Sequence, residues 1–226
     1  MSPALRIEDL GLRPYAEALG MQRELRRQRI AGEITEDVLL LVEHPPVITL
    51  GRGTRITSLP LSPEELVRRG VEVFEVERGG DVTYHGPGQL VGYPILDLRR
   101  HREDLHWYLR SLEDVLIQAL GRVEIEADRS PGRTGVWTAG RKIASIGIHV
   151  KQWVSLHGFA LNVTTNLEPF DLIVPCGINQ VVMTSVAEEL LCTDPADLMG
   201  EVRGRVVEAF CEVFGLSVAA SEIEAA

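Results

Sequence analysis

At 226 residues, 45% hydrophobic and 25% charged, the chain is long enough to bury a sizeable core without staples and has the composition of an ordinary soluble globular protein. Its formal net charge of −10 at pH 7 argues against nonspecific nucleic-acid binding, which runs on phosphate neutralisation. The longest purely apolar run, Val38 to Val42, is far too short to span a bilayer, and the N-terminus lacks the layout of a signal peptide, so no membrane partner and a cytoplasmic location are expected.

Pro14 to about Ile30 reads as a helix, with Tyr15, Leu19, Gln22, Leu25 and Arg29 at helical spacing. Asp37 to Glu43 reads as a buried strand ended by Pro45-Pro46. Ser62-Pro63-Glu64-Glu65 is a capping box with proline at the first helical position, and the short helix stops at Gly70. Val71 to Val76 alternates as a half-buried strand does. The stretch from Arg78 to Gln89 is broken up by glycine and proline, and Leu90 to Leu98 resumes as a strand. Asp104 caps an amphipathic helix carrying Leu105, Leu109, Leu112, Leu116 and Leu120, closed by Gly121. Strand-like runs follow at Val123–Ala127, Gly135–Thr138, Lys142–Val150 and Leu156–Val163, with Ala139-Gly140 as a hairpin turn. Ser185 and Glu188 repeat the capping-box pattern, and Asp194-Pro195 opens a last helix to about Phe214, closed by Gly215. Strands and helices in mixed order, with strand runs gathered in the second half, predict an α+β fold with a mixed or antiparallel β-sheet and packed helices.

The cysteines, Cys176, Cys192 and Cys211, are widely spaced and odd in number, so no disulfide framework is expected; without CxxC or a Cys/His cluster, neither is a metal site. Two arginine clusters stand out, Arg23/Arg26/Arg27/Arg29 and Arg99/Arg100/Arg102; each reads either as a solvated face or as a docking patch for an acidic partner. Phosphate-loop, HExxH and GxGxxG signatures are absent, and Ser145 fails GxSxG at its first glycine.

Three segments carry chemistry. Arg78 to Leu90 sets Arg, Asp, Thr, Tyr and His among glycines, whose backbone can approach a ligand closely; an ordinary hairpin loop has the same composition. In Gly140 to His149, Ile146 and Ile148 can face the core while Lys142, Ser145, Gly147 and His149 fall at or near the other face, although a lysine there is usually solvent-facing. Cys176 lies between Pro175 and Gly177, at a turn; an inert thiol fits that place as readily as a nucleophile.

RGGDVTYHGPGQL at 78–90, GRKIASIG at 140–147, HGFALN at 157–162 and PCGI at 175–178 together resemble the lipoyl(octanoyl) transferases, the octanoyltransferases of lipoate biosynthesis. Their order and spacing match over roughly residues 37–190; Asp81 stands where glutamine is more usual. The resemblance implies one catalytic domain over residues 1–226 with a fold like the catalytic domains of biotin and lipoate protein ligases. It implies that an octanoyl group passes from acyl carrier protein to a cysteine and then to a lysine of lipoyl domains. The acceptors would be 2-oxoacid dehydrogenase complexes and the glycine cleavage H protein; no cofactor is needed, and a monomer is expected. By motif match Cys176 is the nucleophile and Lys142 its partner. Arg78, Gly79, Gly80, Asp81, Val82, Thr83, Tyr84 and His85, with Ser145, Ile146, Gly147, Gly158, Phe159 and Ala160, would line the acyl site. An ATP-dependent lipoate or biotin ligase, a thioesterase-like hydrolase and a non-catalytic acyl-binding module are the alternatives.

A free thiol has a pKa of about 8.5, and a nearby ammonium stabilises its thiolate. A thioester donor is already activated, which accounts for the lack of an ATP motif. Gly177 N–H is a candidate donor to the developing oxyanion. Burying about six methylenes at about 0.8 kcal/mol each holds the chain by on the order of 5 kcal/mol, with room left by Gly79, Gly80, Gly147 and Gly158.

Overall fold

The computed structural model of the protein describes residues 3–174, 181–192 and 196–219. In chain order the elements are β1 (Ala4–Leu12), α1 (Tyr15–Ala31), β2 (Asp37–Glu43), β3 (Val47–Leu50), α2 (Pro63–Arg68), β4 (Glu72–Glu75), β5 (Val82–His85), β6 (Gln89–Ile95), α3 (Leu105–Gly121), β7 (Asp128–Ser130), β8 (Arg133–Thr138), β9 (Arg141–Lys151), β10 (Val154–Asn162), α4 (Val186–Glu189), α5 (Leu198–Phe214) and β11 (Ser217–Val218). Eight strands form one mixed sheet in the order β11-β1-β2-β6-β10-β9-β8-β7, and three form a smaller one in the order β4-β3-β5. The β1/β2, β1/β11 and β3/β4 pairs are parallel and the remainder antiparallel. No helix among the described residues is long and apolar enough to cross a membrane.

The alternation of β2 shows why the large sheet is covered on both faces. Leu39 and Leu41 point into a core with Leu112, Val115 and Leu116 of α3 and Val206 and Phe210 of α5. Val38, Leu40 and Val42 point the other way, onto Tyr15, Ala18, Leu19 and Leu25 of α1. A third cluster, with Ile48, Val82 and Tyr84 of the small sheet, Leu66 of α2 and Phe170, packs beneath the loops that follow.

The helices stand where their caps place them. Pro14 precedes α1 and Gly32 closes it with a left-handed φ of 74°. Ser62 accepts from the Glu65 N–H at the head of α2, and Asp104 from His106 and Trp107 at the head of α3. The buried stripe of α1 includes the two polar residues read at helical spacing, Gln22 and Arg29. Asp194 and Pro195 lie outside the described residues; α5 is described from Leu198.

The structure adds strands the sequence reading left unassigned and removes one it expected. Residues 4–12, unassigned from sequence, form β1 beside β2. Val47–Leu50 is a strand joining β4 and β5. The glycine-rich stretch contains a strand of its own, β5, held by that partner. Val123–Ala127 forms no strand: Val123 and Ile125 are buried, but the β-ladder begins only at Asp128.

Candidate active site

The 78–83 loop, β9 and β10 wall a cavity of about 300 Å³ between the two sheets. At its floor Tyr15, His85, Tyr93 and His157 are almost wholly buried. At its rim Gly80 on one side and Gly132, Arg133 and Thr134 of the β7–β8 hairpin on the other are exposed. Of the sequence-predicted residues, Arg78, Gly80, Asp81, Val82, Thr83, His85, Lys142, Ser145, Ile146, Gly147, Gly158, Phe159 and Ala160 line this cavity. Gly79 and Tyr84 do not. The Gly79 N–H donates to Ile148 O at 2.8 Å, stitching the loop to β9. Tyr84 points into the third core, edge-on to Phe170. Cys176 and Gly177 lie outside the described residues, but Ile173 and Val181, on either side of them in sequence, both line the cavity.

Arg78 is buried, and its guanidinium is the frame of the loop. It donates to Thr49 O at 2.6 Å, Thr49 Oγ1 at 2.9 Å and Asp81 O at 2.6 Å. Asp81 accepts from Ser58 Oγ at 2.8 Å and from the Val82 N–H at 2.7 Å. Both side chains thus brace backbone as well as line the cavity.

Hydrogen bonds tie two of the motifs together, and tie them to the segment before α4. Gln89 donates through Nε2 to Asn162 Oδ1 at 2.9 Å, so its Oε1 is the acceptor facing His85 Nδ1 at 2.8 Å. Asn162 in turn donates to Thr184 O at 2.9 Å. His85 therefore carries its proton on Nδ1 and leaves Nε2 with a lone pair. His44 is fixed likewise: Nδ1 faces Arg13 O at 2.7 Å and Nε2 accepts from the Tyr93 hydroxyl at 2.8 Å.

Burial, with His44 close by, pushes His85 down to about 3; burial takes His44 to about 4 against the opposing hydrogen bond to Arg13 O, and burial takes His157 to about 3 against the opposing pull of Glu77. Burial also lifts Tyr15 to about 12. The floor is therefore polar in composition but uncharged near neutral pH, a surface an acyl chain can contact without stripping water from an ion. His157 also has a φ of 61°, uncommon for a non-glycine residue, and its N–H donates to Gln22 Oε1 at 3.1 Å.

Lys142 lies near the rim. In a regular strand it would face away from Ser145 and Gly147, three and five positions on. The β8/β9 register slips by one residue between Val136 and Trp137, and this bulge brings Lys142 to the same cavity. Its backbone is paired on the far side too: the Lys142 N–H donates to Val182 O at 2.8 Å, and the Thr184 N–H to Lys142 O at 3.0 Å. Its Nζ stands 5.8 Å from the centre of the Trp137 ring. Gly135 makes room beneath it. A Cβ there would lie 2.6 Å from Ala144 O and 2.8 Å from Lys142 Cε, and the residue holds a φ of +123°. The Gly135 N–H donates to the buried Glu113 at 3.2 Å, which Arg110 and Arg129 also engage.

Sequence reasoning did not single out Tyr15, Tyr93, Arg133, Trp137, Phe170 or Met183 as cavity residues. His157 was within reach, as the first residue of HGFALN; the others belong to elements with no local signature. Both arginine clusters are engaged by other groups of the chain. Arg29 is buried against Asp37, Arg27 is held by Glu24 and Glu33, Arg23 by Glu77, Arg99 by Asp97 and Arg102 by Asp104.

Residues 14–211 match the family described as the lipoyl protein ligase A/B catalytic domain. A Nostoc protein named octanoyltransferase is 52% identical over 92% of this chain and 91% of its own length. One of the same name from Gloeobacter violaceus is 48% identical over 100% and 96%. Among solved structures, lipoate-protein ligase A bound with ATP superposes with a TM-score of 0.71 at 13% identity, covering 98% of this chain and 89% of that one, a likeness of fold.

Proposed function

The chain belongs to the lipoyl protein ligase A/B catalytic domain family, and from that premise we propose that it is the octanoyltransferase whose chemistry runs through Cys176 and Lys142. It is an acyltransferase that moves an octanoyl group from a carrier protein to lipoyl domains, as the near-full-length identity to octanoyltransferases supports. The acceptors are the lipoyl domains of 2-oxoacid dehydrogenase complexes and the glycine cleavage H protein, and the enzyme works as a cytoplasmic monomer, its 226 residues acting as one catalytic domain.

In the first half-reaction Lys142, as the neutral amine, takes the proton of the Cys176 thiol, and the thiolate attacks the thioester carbonyl of the donor. The new S–C bond forms as the old one breaks, and the departing carrier thiolate takes the proton from Lys142. In the second, the acceptor lysine attacks the Cys176 thioester; its proton passes by way of Lys142 to the leaving Cys176 sulfur, and an amide is left on the acceptor. Trp137 and the paired backbone around Lys142 hold the amine at one place, and the octanoyl chain runs toward the neutral histidine and tyrosine floor.

The observation carrying this reading is that Lys142 and the chain segments flanking Cys176, at Ile173 and Val181, line one cavity. Intact mass after mixing with octanoyl-acyl carrier protein tests it: an octanoyl-sized increment is expected, and none in Cys176→Ser. Undiminished transfer by Cys176→Ser would end the covalent route, and ATP-dependent loading of free octanoate would point to a ligase instead.

A further inference from the structure

Resting on the octanoyl-transfer reading, we propose that Arg133 selects the acceptor by pairing with an acidic side chain next to the lysine to be acylated. Unlike the clustered arginines, the Arg133 side chain has no ion pair or hydrogen bond among the described residues; it is exposed and lines the cavity rim. Its guanidinium carbon stands 5.4 Å from the centre of the Trp137 ring. The same ring has Lys142 Nζ at 5.8 Å, so the two cations lie no farther apart than those two distances laid end to end. A cation is thus posted at the rim within a side chain's reach of the reacting group.

The post is also stiff. Pro131 and Gly132 turn the hairpin, with Gly132 at a φ of +72°, the proline-then-left-handed-glycine pattern of a tight turn. Ser130 pairs with Arg133 across that turn, which makes Arg133 the first residue of β8. Indole contact then favours one lie of the guanidinium.

Geometry narrows what it meets. An acceptor lysine that enters far enough for its amine to attack an acyl group beside Lys142 leaves its own backbone at the rim. The residues flanking that lysine then stand over the β7–β8 hairpin. Among the described residues the one carboxylate lining the cavity, Asp81, is buried and held by Ser58 and Val82, so that lining offers Arg133 no exposed acid. For a chain of net charge −10, a local cation is what lets an acid-flanked lysine approach at all.

The test is a ratio of kcat/KM values measured within each enzyme variant, which a loss of stability does not move. Two lipoyl domains are used, one with a carboxylate beside the target lysine and one with arginine in its place. The parent should favour the acid-flanked domain by roughly tenfold or more, Arg133→Gln should bring the ratio near unity, and Arg133→Glu should invert it. An unchanged ratio in both variants overturns the proposal. Acyl-enzyme formation is followed separately by mass. If the parent forms none, the Cys176 mechanism fails, while the ratio still decides the role of Arg133.

Discussion

Replacing Gly135 by alanine probes whether the notch under Lys142 matters to the reaction. The new methyl would sit 2.6 Å from Ala144 O, which is backbone of β9 and cannot yield, and 2.8 Å from Lys142 Cε, which can. The φ of +123° adds strain of about 1–3 kcal/mol for an L-residue. Overpacking adds about 1–3 kcal/mol more. Together these lower the melting temperature by roughly 4–24 °C for a chain of this size. Lys142 gives way first, and displacing the amine proposed to react by about 1 Å should cost on the order of 100-fold in rate. The control is Gly140→Ala in the adjacent hairpin turn, where φ is +78° but nothing lies within 4 Å of the added carbon. It should lose about 1 kcal/mol and keep its kcat. Thermal melts and octanoyl transfer measured well below both midpoints separate the two effects. Gly135→Ala with kcat within twofold of the parent, or Gly140→Ala with an equal loss of kcat, refutes the reasoning.

Acidification should destabilise the protein well before its carboxylates titrate. His44, His85 and His157 are held at about 4, 3 and 3 in the folded state against 6.5 unfolded. The unfolded chain therefore binds more protons below pH ~6.5, and the stability present above that pH is lost as pH falls toward 3–4, at about 1.4 kcal/mol per unit for each histidine. Urea midpoints should drop steadily from about pH 6.5 to about pH 4.5; a flat profile would show that these rings are protonated in place. Arg78→Lys should cost about 2–4 kcal/mol, because one ammonium cannot span Thr49 and Asp81 at once. Transfer activity should fall with it, and an unchanged urea midpoint would show that the guanidinium frame is dispensable.

Much of the architecture is a local matter and can be read without coordinates. The helix at Tyr15–Ala31, the capped helices after Ser62 and Asp104, the Ala139-Gly140 turn and the buried run of β2 follow from periodicity, caps and turn chemistry that act within a few residues. The order and spacing of four motifs were enough to point to the family. Strand existence was less legible, because a strand needs a partner. Val123 and Ile125 alternate and are buried yet have no ladder, whereas Val82–His85, hidden among glycines, is a strand because β3 lies beside it.

Within the candidate site, the sequence by itself pointed to the residues proposed to react and bind: a lysine in a strand, a cysteine between proline and glycine, a loop of glycines with an arginine and a histidine. Tertiary structure alone decided that the lysine, the arginine and the histidine line one cavity. A one-residue slip between β8 and β9 brings Lys142 to the cavity with Gly147. Burial from several elements at once neutralises the floor histidines. The arginine clusters that looked free are engaged by acids, some of them distant in sequence, whereas Arg133 at the rim has no acid partner among the described residues. Pairing register, burial and charge partners are set by groups far apart along the chain, and no local pattern of residues encodes where those groups meet.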